Sequence, residues 1–173
     1  DRVRADGLGH RDSPWRSAAR SRSGVTGTWS MRTPVAWWIA LRIAGAVATI
    51  PAQQVGGDLY DVIRFPDGRT GLVVGDVSGK GVPAALFAAR ILSDVRYEAL
   101  FHDDVAATLA SVNEIVARRS TRGMFVTLCY AVFDPRTREV LVGNAGHVAP
   151  LLRAASGEVT RWEDGAGLPL GVA

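Results

Sequence analysis

Two glycine-flanked aspartates on either side of a turn constrain this chain more than any other feature. They lie in Val55-Gly56-Gly57-Asp58-Leu59-Tyr60-Asp61 and Gly75-Asp76-Val77-Ser78-Gly79-Lys80-Gly81. Between them, Pro66-Asp67-Gly68 has the composition of a tight turn. A β-turn-β unit with its tip there returns Asp76 to the neighbourhood of Asp58 at one end of a sheet. Hard cations such as Mg²⁺ and Mn²⁺ require clustered oxygen ligands of this kind. Glycines beside them let the backbone pass close to a metal or a phosphate.

The pattern downstream predicts the elements that carry this unit. Thr70–Val77 reads as a buried strand. Pro83 suits the first turn of a helix, and Ala84, Ala88, Ile91 and Val95 fall on one helical face. A second helix starts at Asp103 or Asp104, either able to cap it, with Val105, Leu109, Val112 and Val116 as its apolar face. The period then changes to two. Met124–Phe133 is apolar on both faces, as in a strand covered on both sides. Asp134–Thr137 reads as a turn, Glu139–Val142 as a returning strand, and Asn144-Ala-Gly-His147 as another tight turn. Ala149–Arg153 and Glu158–Trp162 form a hairpin around Ser156-Gly157. Strands, two helices and more strands give an α+β layered domain rather than alternating βαβ units.

Composition narrows the function classes. The chain has 173 residues, 47% of them apolar, enough for one domain with a real core. Its net charge is +3, and every basic residue except Lys80 is arginine. No basic stripe is interleaved with aromatics on one element, which argues against nucleic-acid binding. The single cysteine, Cys129, excludes an internal disulfide, has no zinc spacing, and fits a reducing compartment. The chain begins with Asp, as expected of a piece of a longer protein or a processed product. Residues 1–33 are rich in Arg, Ser, Gly and Asp and read as a disordered leader or linker remnant, so the domain is expected over 34–173. Residues 34–50 keep two readings. One is a signal or membrane segment; the other is a buried first strand near Leu41–Thr49, with Trp37 and Trp38 as packing residues. Arg42 and the short run weigh against spanning, since an arginine at a helix centre costs about 2.5–3.5 kcal/mol.

Three ordered motifs resemble one family. Pro51–Asp61, Gly75–Leu86 and Asn144-Ala-Gly-His-Val-Ala-Pro150, with Asn113 and Gly167-Leu-Pro-Leu-Gly171, closely resemble the SpoIIE/RsbU-type bacterial branch of the metal-dependent PPM (PP2C-like) serine/threonine phosphatases. The likeness runs from about Leu41 to the end. It implies an αββα sandwich, incomplete at the C-terminus, with two Mn²⁺ or Mg²⁺ ions at one end. By motif position Asp58 and Asp76 are ligands, Asp76 bridging both ions, and the Val77 carbonyl is a further ligand. Activated water would then attack a phosphoserine or phosphothreonine. The implied substrate is a phosphorylated anti-sigma-factor antagonist, the implied input an upstream sensor domain, and the implied location the cytoplasm. A homodimer is left open.

The chain departs from the family in two places. Eukaryotic relatives carry a histidine two residues after the bridging aspartate, where this chain has Ser78, so no catalytic acid is named beyond the metal ligands. The family's later Thr-Asp-Gly and distal Asp have no counterpart up to Ala173. Half a ligand set implies weak metal affinity and little turnover. A catalytically dead, pseudophosphatase-like binding module is therefore the rival reading.

The other motif residues keep plainer alternatives. Asp58 could serve an Asx turn. Asp61 either supports the ligands or is a plain turn or surface residue. Gly57, Ser78, Gly79 and Lys80 are candidates for supporting the site or touching phosphate, and Lys80 suits equally a solvated loop. His147 is expected to fix a strand end near the site, and Asn144 to occupy a left-handed turn.

Overall fold

A computed structural model describes residues 31–34, 56–119, 123–154, 156–162 and 166–172. Its elements run β1 (Met31–Pro34), β2 (Asp58–Arg64), β3 (Thr70–Val77), α1 (Gly81–Phe101), α2 (Val105–Arg119), β4 (Val126–Asp134), β5 (Glu139–Ala145), β6 (Leu151–Arg153), β7 (Val159–Arg161) and β8 (Ala166–Gly167). The sheet order is β1-β5-β4-β3-β2 with antiparallel neighbours, and β8 joins the end of β5 in parallel. β6 and β7 form a separate hairpin.

Alternation decides which face is covered. Leu59 and Ile63 of β2, Val73 and Val77 of β3, and Val126, Leu128, Tyr130 and Val132 of β4 are buried. Over them lie α1, through Ala84, Ala88, Ile91, Val95 and Ala99, and α2, through Val105, Leu109, Val112 and Val116. These helical faces are the predicted ones, extended by Ala99. The opposite face of the sheet is half-buried at Thr127, Cys129 and Ala131 and exposed at Tyr60, Val62 and Val74. The expectation that β4 is covered on both sides therefore holds in full on the helical side, whereas on the other face Thr127, Cys129 and Ala131 are half-buried and Phe133 is buried.

Local chemistry sets the element ends. The β2–β3 connection turns at Pro66-Asp67-Gly68, with Gly68 at φ 92° and its N–H donating to Phe65 O. Asp104 caps α2: its Oδ1 accepts from Ala106 N at 3.0 Å. α1 has Lys80 at its N-cap and no side-chain cap. At the far end of the described chain, Leu170 and Val126 exchange backbone hydrogen bonds of 2.8 and 3.0 Å, and Gly171 N donates to the buried Asn113 Oδ1 at 2.9 Å. The closing Gly167–Gly171 motif is thereby strapped across β4 to α2.

Two boundaries are corrected. The leader was expected to extend through residue 33, yet Met31–Pro34 pairs with Glu139–Val142 as an edge strand. β4 begins at Val126 rather than Met124, because Phe125 N donates to Ser78 Oγ at 2.8 Å instead of entering the ladder. The alternatives for 34–50, including Trp37 and Trp38, lie outside the described residues beyond Pro34 itself. Among the described residues no helix is long and apolar enough to cross a membrane.

Candidate metal centre

Asp58 opens β2 and Asp76 closes β3, and the register places them directly opposite one another. Val77 N donates to Gly57 O at 3.1 Å, just outside this pair. Asp58 and Asp76 are therefore a non-hydrogen-bonded pair, the narrow kind with Cα atoms typically about 4.5 Å apart. Both side chains are exposed, on the sheet face away from the helices. Like charges directly opposite repel, and a divalent cation between them reverses that sign.

Gly57 clears the space beside them. A Cβ there would lie 2.6 Å from Val77 O and 3.2 Å from Asp76 Oδ1. A backbone without a side chain thus runs against both the carbonyl and the carboxylate. Two carboxylates and a carbonyl are hard oxygen donors and fit part of a Mg²⁺ or Mn²⁺ shell. Among the described residues no three His, Cys, Asp or Glu side chains converge as a closed cage, so the donor set present here is a partial one.

The row continues across the sheet. Thr127 of β4 stands opposite Asp76. Its Oγ1 lies 2.9 Å from His147 Nδ1 and 3.4 Å from Asp76 O. Burial pushes the His147 imidazole below its ordinary pKa, while the negative charges of Asp76 and then Asp58 pull it up. His147 thus lies within electrostatic reach of both aspartates. Its loop is locked by Asn144, which is buried: Asn144 Oδ1 accepts from His147 N at 2.8 Å, and Asn144 Nδ2 donates to His147 O at 3.0 Å. The left-handed position expected at Asn144 is instead Gly146, at φ 69°, whose missing Cβ would lie 2.7 Å from Pro169. Asn144 remains in β5 as a backbone clamp.

Other expected residues fall in different places. Asp61 is three residues from Asp58 on one strand and so points to the opposite face, where Arg96 of α1 holds it in an ion pair. Asp61 Oδ2 is buried and depends on that pair. The structure therefore does not bring Asp61 to the site, and it is neither a turn nor a free surface residue. Ser78 Oγ is occupied by Phe125 N, and Ser78 N donates to Phe125 O at 2.9 Å. Gly79 and Lys80 lie exposed in the turn leading into α1. Thr127 escaped the sequence reading. Its signal was present, as the one threonine in the apolar run Met124–Phe133.

Two solved structures share this arrangement of elements, and the sequence has relatives. The family model described as Stage II sporulation protein E (SpoIIE) matches residues 66–173, which include Asp76 and Val77 but not Asp58. The phosphoserine phosphatase RsbU of Bacillus subtilis (strain 168) is 30% identical over 105 residues, covering 60% of this chain and 30% of that protein. Protein IcfG of Synechocystis sp. is 31% identical over 124 residues, covering 56% of this chain and 20% of that protein. The chain thus spans a third or less of these relatives. The solved RsbU and RsbW domains of Rv1364c from Mycobacterium tuberculosis align at TM-score 0.61 and 31% identity, over 69% of this chain and 33% of that one. The PP2C phosphatase domain of SpoIIE from Bacillus subtilis aligns at TM-score 0.57 and 17% identity, over 86% of this chain and 38% of that one, and shows a shared fold. The chain belongs to the SpoIIE family, in the SpoIIE/RsbU branch of PPM (PP2C-like) phosphatase domains.

Proposed function

We propose that this chain is part of a metal-dependent protein phosphatase that hydrolyses phosphoserine or phosphothreonine. Its substrate is a phosphorylated anti-sigma-factor antagonist, in cytoplasmic stress or developmental signalling under an upstream sensor domain. The observation that carries the reading is the narrow Asp58–Asp76 pair with a bare glycine backbone beside Asp76 Oδ1 and Val77 O. Bound Mn²⁺ or Mg²⁺ would supply charge neutralisation at the phosphoryl group and activation of water. Asp58, Asp76 and Val77 O are the residues that would hold it. Thr127 and His147 brace the Asp76 side of the row. Lys80 and the start of α1 offer positive charge to a phosphate, as helix N-termini do.

Phosphate release from a phosphoserine peptide with Mn²⁺ tests this, alongside direct Mn²⁺ titration of the wild type and Asp76→Asn. The expected result is metal-dependent release and saturable binding, both lost in the variant. Equal traces for the two proteins in both measurements would overturn the reading. Binding without release would favour the regulatory-module reading.

A further inference from the structure

His147 is held more firmly than a strand end requires. Asn144 already fixes the backbone at this position, accepting from His147 N at 2.8 Å and donating to His147 O at 3.0 Å. Neither bond uses the imidazole, so a different side chain would leave the clamp intact. The ring is fixed separately, with Nδ1 2.9 Å from Thr127 Oγ1. Thr127 stands opposite Asp76. Its side chain therefore lies on the same sheet face as the two aspartates, one strand spacing of about 4.8 Å from Asp76. The charges of Asp76 and Asp58 both reach the ring. Among the described residues Nε2 has no hydrogen-bond partner, yet it is not a buried orphan, so it meets solvent from a half-buried ring. With Nδ1 turned down to Thr127, Nε2 on the far side of the ring points away from the sheet. That is the side from which a phosphoryl group would approach a cation held by the aspartates.

One hydrogen decides what Nε2 can offer. A threonine hydroxyl has a single hydrogen to give. Its two acceptors here are Asp76 O at 3.4 Å and His147 Nδ1 at 2.9 Å. The first lies beyond the usual O–H···O range of roughly 2.5–3.0 Å, so the hydrogen goes to Nδ1. A neutral imidazole that accepts at Nδ1 carries its own hydrogen at Nε2. The nitrogen that meets solvent is therefore a donor, with no lone pair for a cation. A fixed donor beside a divalent-cation site is matched by an anionic oxygen, and such bonds are the strong ones. We propose that His147 Nε2–H hydrogen-bonds a phosphoryl oxygen of the substrate, with Thr127 as the positioning residue that sets its tautomer, a contact that rests on the metal-dependent reading of Asp58 and Asp76. The imidazole then has a task that the backbone clamp does not explain. It orients the phosphoryl group from the β4 side, while the aspartates hold the cation on the β2–β3 side.

Long-range nitrogen–proton NMR spectra of the histidine rings read this without turnover. At about pH 8, above the ordinary histidine range, wild-type His147 should carry hydrogen on Nε2 and have a bare Nδ1. Thr127→Val should let the two tautomers mix, and Thr127→Ser should restore the wild-type pattern. In saturating Mg²⁺, inorganic phosphate should shift Nε2. His147→Phe should weaken phosphate binding, followed at the Thr127 amide, roughly tenfold or more and leave Mg²⁺ affinity unchanged. If that variant misfolds, the wild-type phosphate titration and the Thr127→Ser rescue still decide. A bare Nε2 in the wild type would overturn the proposal, and one that shifts with Mg²⁺ alone would make His147 a cation ligand instead. A tautomer indifferent to Thr127→Val would remove the positioning role. The contact and the metal site fail separately. If Mg²⁺ moves the Asp58 and Asp76 amides but phosphate leaves Nε2 unmoved, the phosphoryl contact is refuted and the metal site stands. If Mg²⁺ moves neither amide, the metal site itself fails and the contact goes with it.

Discussion

At the scale of single residues, the acidic pair sets stability against binding. Asp58 and Asp76 stand directly opposite one another on adjacent strands. Asp76→Asn is therefore expected to stabilise the metal-free chain by a few tenths of a kcal/mol and to abolish any rise in melting temperature caused by Mn²⁺; calorimetry with and without metal checks both signs. Gly57→Ala would put a methyl group 2.6 Å from the Val77 carbonyl oxygen. An expected loss of about 1–3 kcal/mol, from forcing that backbone apart, should appear in urea unfolding together with weaker Mn²⁺ binding. Acid stability has a nameable contributor at the β4–β5 turn. The Arg136 guanidinium holds the Asp134 carboxyl down to about 2, from an ordinary 3.8. The folded value is the lower one, so the unfolded chain takes up the proton first. The stabilisation is full above about pH 4 and disappears as pH falls to about 2. Asp134→Asn should be less stable than wild type at neutral pH, with the difference in urea midpoint vanishing towards pH 2. Of these residues, Asp58 and Asp76 were legible because glycines and a turn mark them locally. The parity that sends Asp61 to the other face was equally present in the sequence and only needed counting. The Thr127–His147 contact joins residues far apart in sequence and could not be read from local pattern.

Individual elements show where that local pattern suffices. Both helices were legible from their apolar faces, since burial on the sheet is what their periodicity encodes. Their ends differ in quality. Asp104 caps α2, and Asp104→Ala should cost about 1 kcal/mol. α1 begins at an extended Lys80 that gives no side-chain oxygen to its first turn. Lys80→Ser is expected to add a cap worth about 0.5–1 kcal/mol, while removing the one lysine near the aspartates. Thermal denaturation of both variants checks the two directions. The edge strand Met31–Pro34 was not legible, because four residues ending in proline carry no alternation and owe their strand character to β5.

For the molecule as a whole, closure depends on few side chains. Asn113 reaches from α2 to Gly171, and Leu170 lies across β4 at Val126. Asn113→Ala removes a buried acceptor and leaves Gly171 N–H without it, an expected cost of about 1–3 kcal/mol. Hydrogen exchange should accelerate at the Leu170 and Gly171 amides while β3 stays protected. The layered α+β class was legible from the order of the elements, whereas the exposure of the sheet's other face depends on what lies over it, which no strand pattern states. The opposition of Asp58 and Asp76 has one last effect, during folding itself. Sliding β2 one position along β3 would turn Leu59 and Ile63 out to water and drive Asp58 under the helices, since side chains alternate strictly. A buried carboxylate without a partner costs several kcal/mol. Mispaired hairpins are thus rejected by the same charge the site needs, and the acid that would grip a cation also proofreads the alignment of the strands that present it.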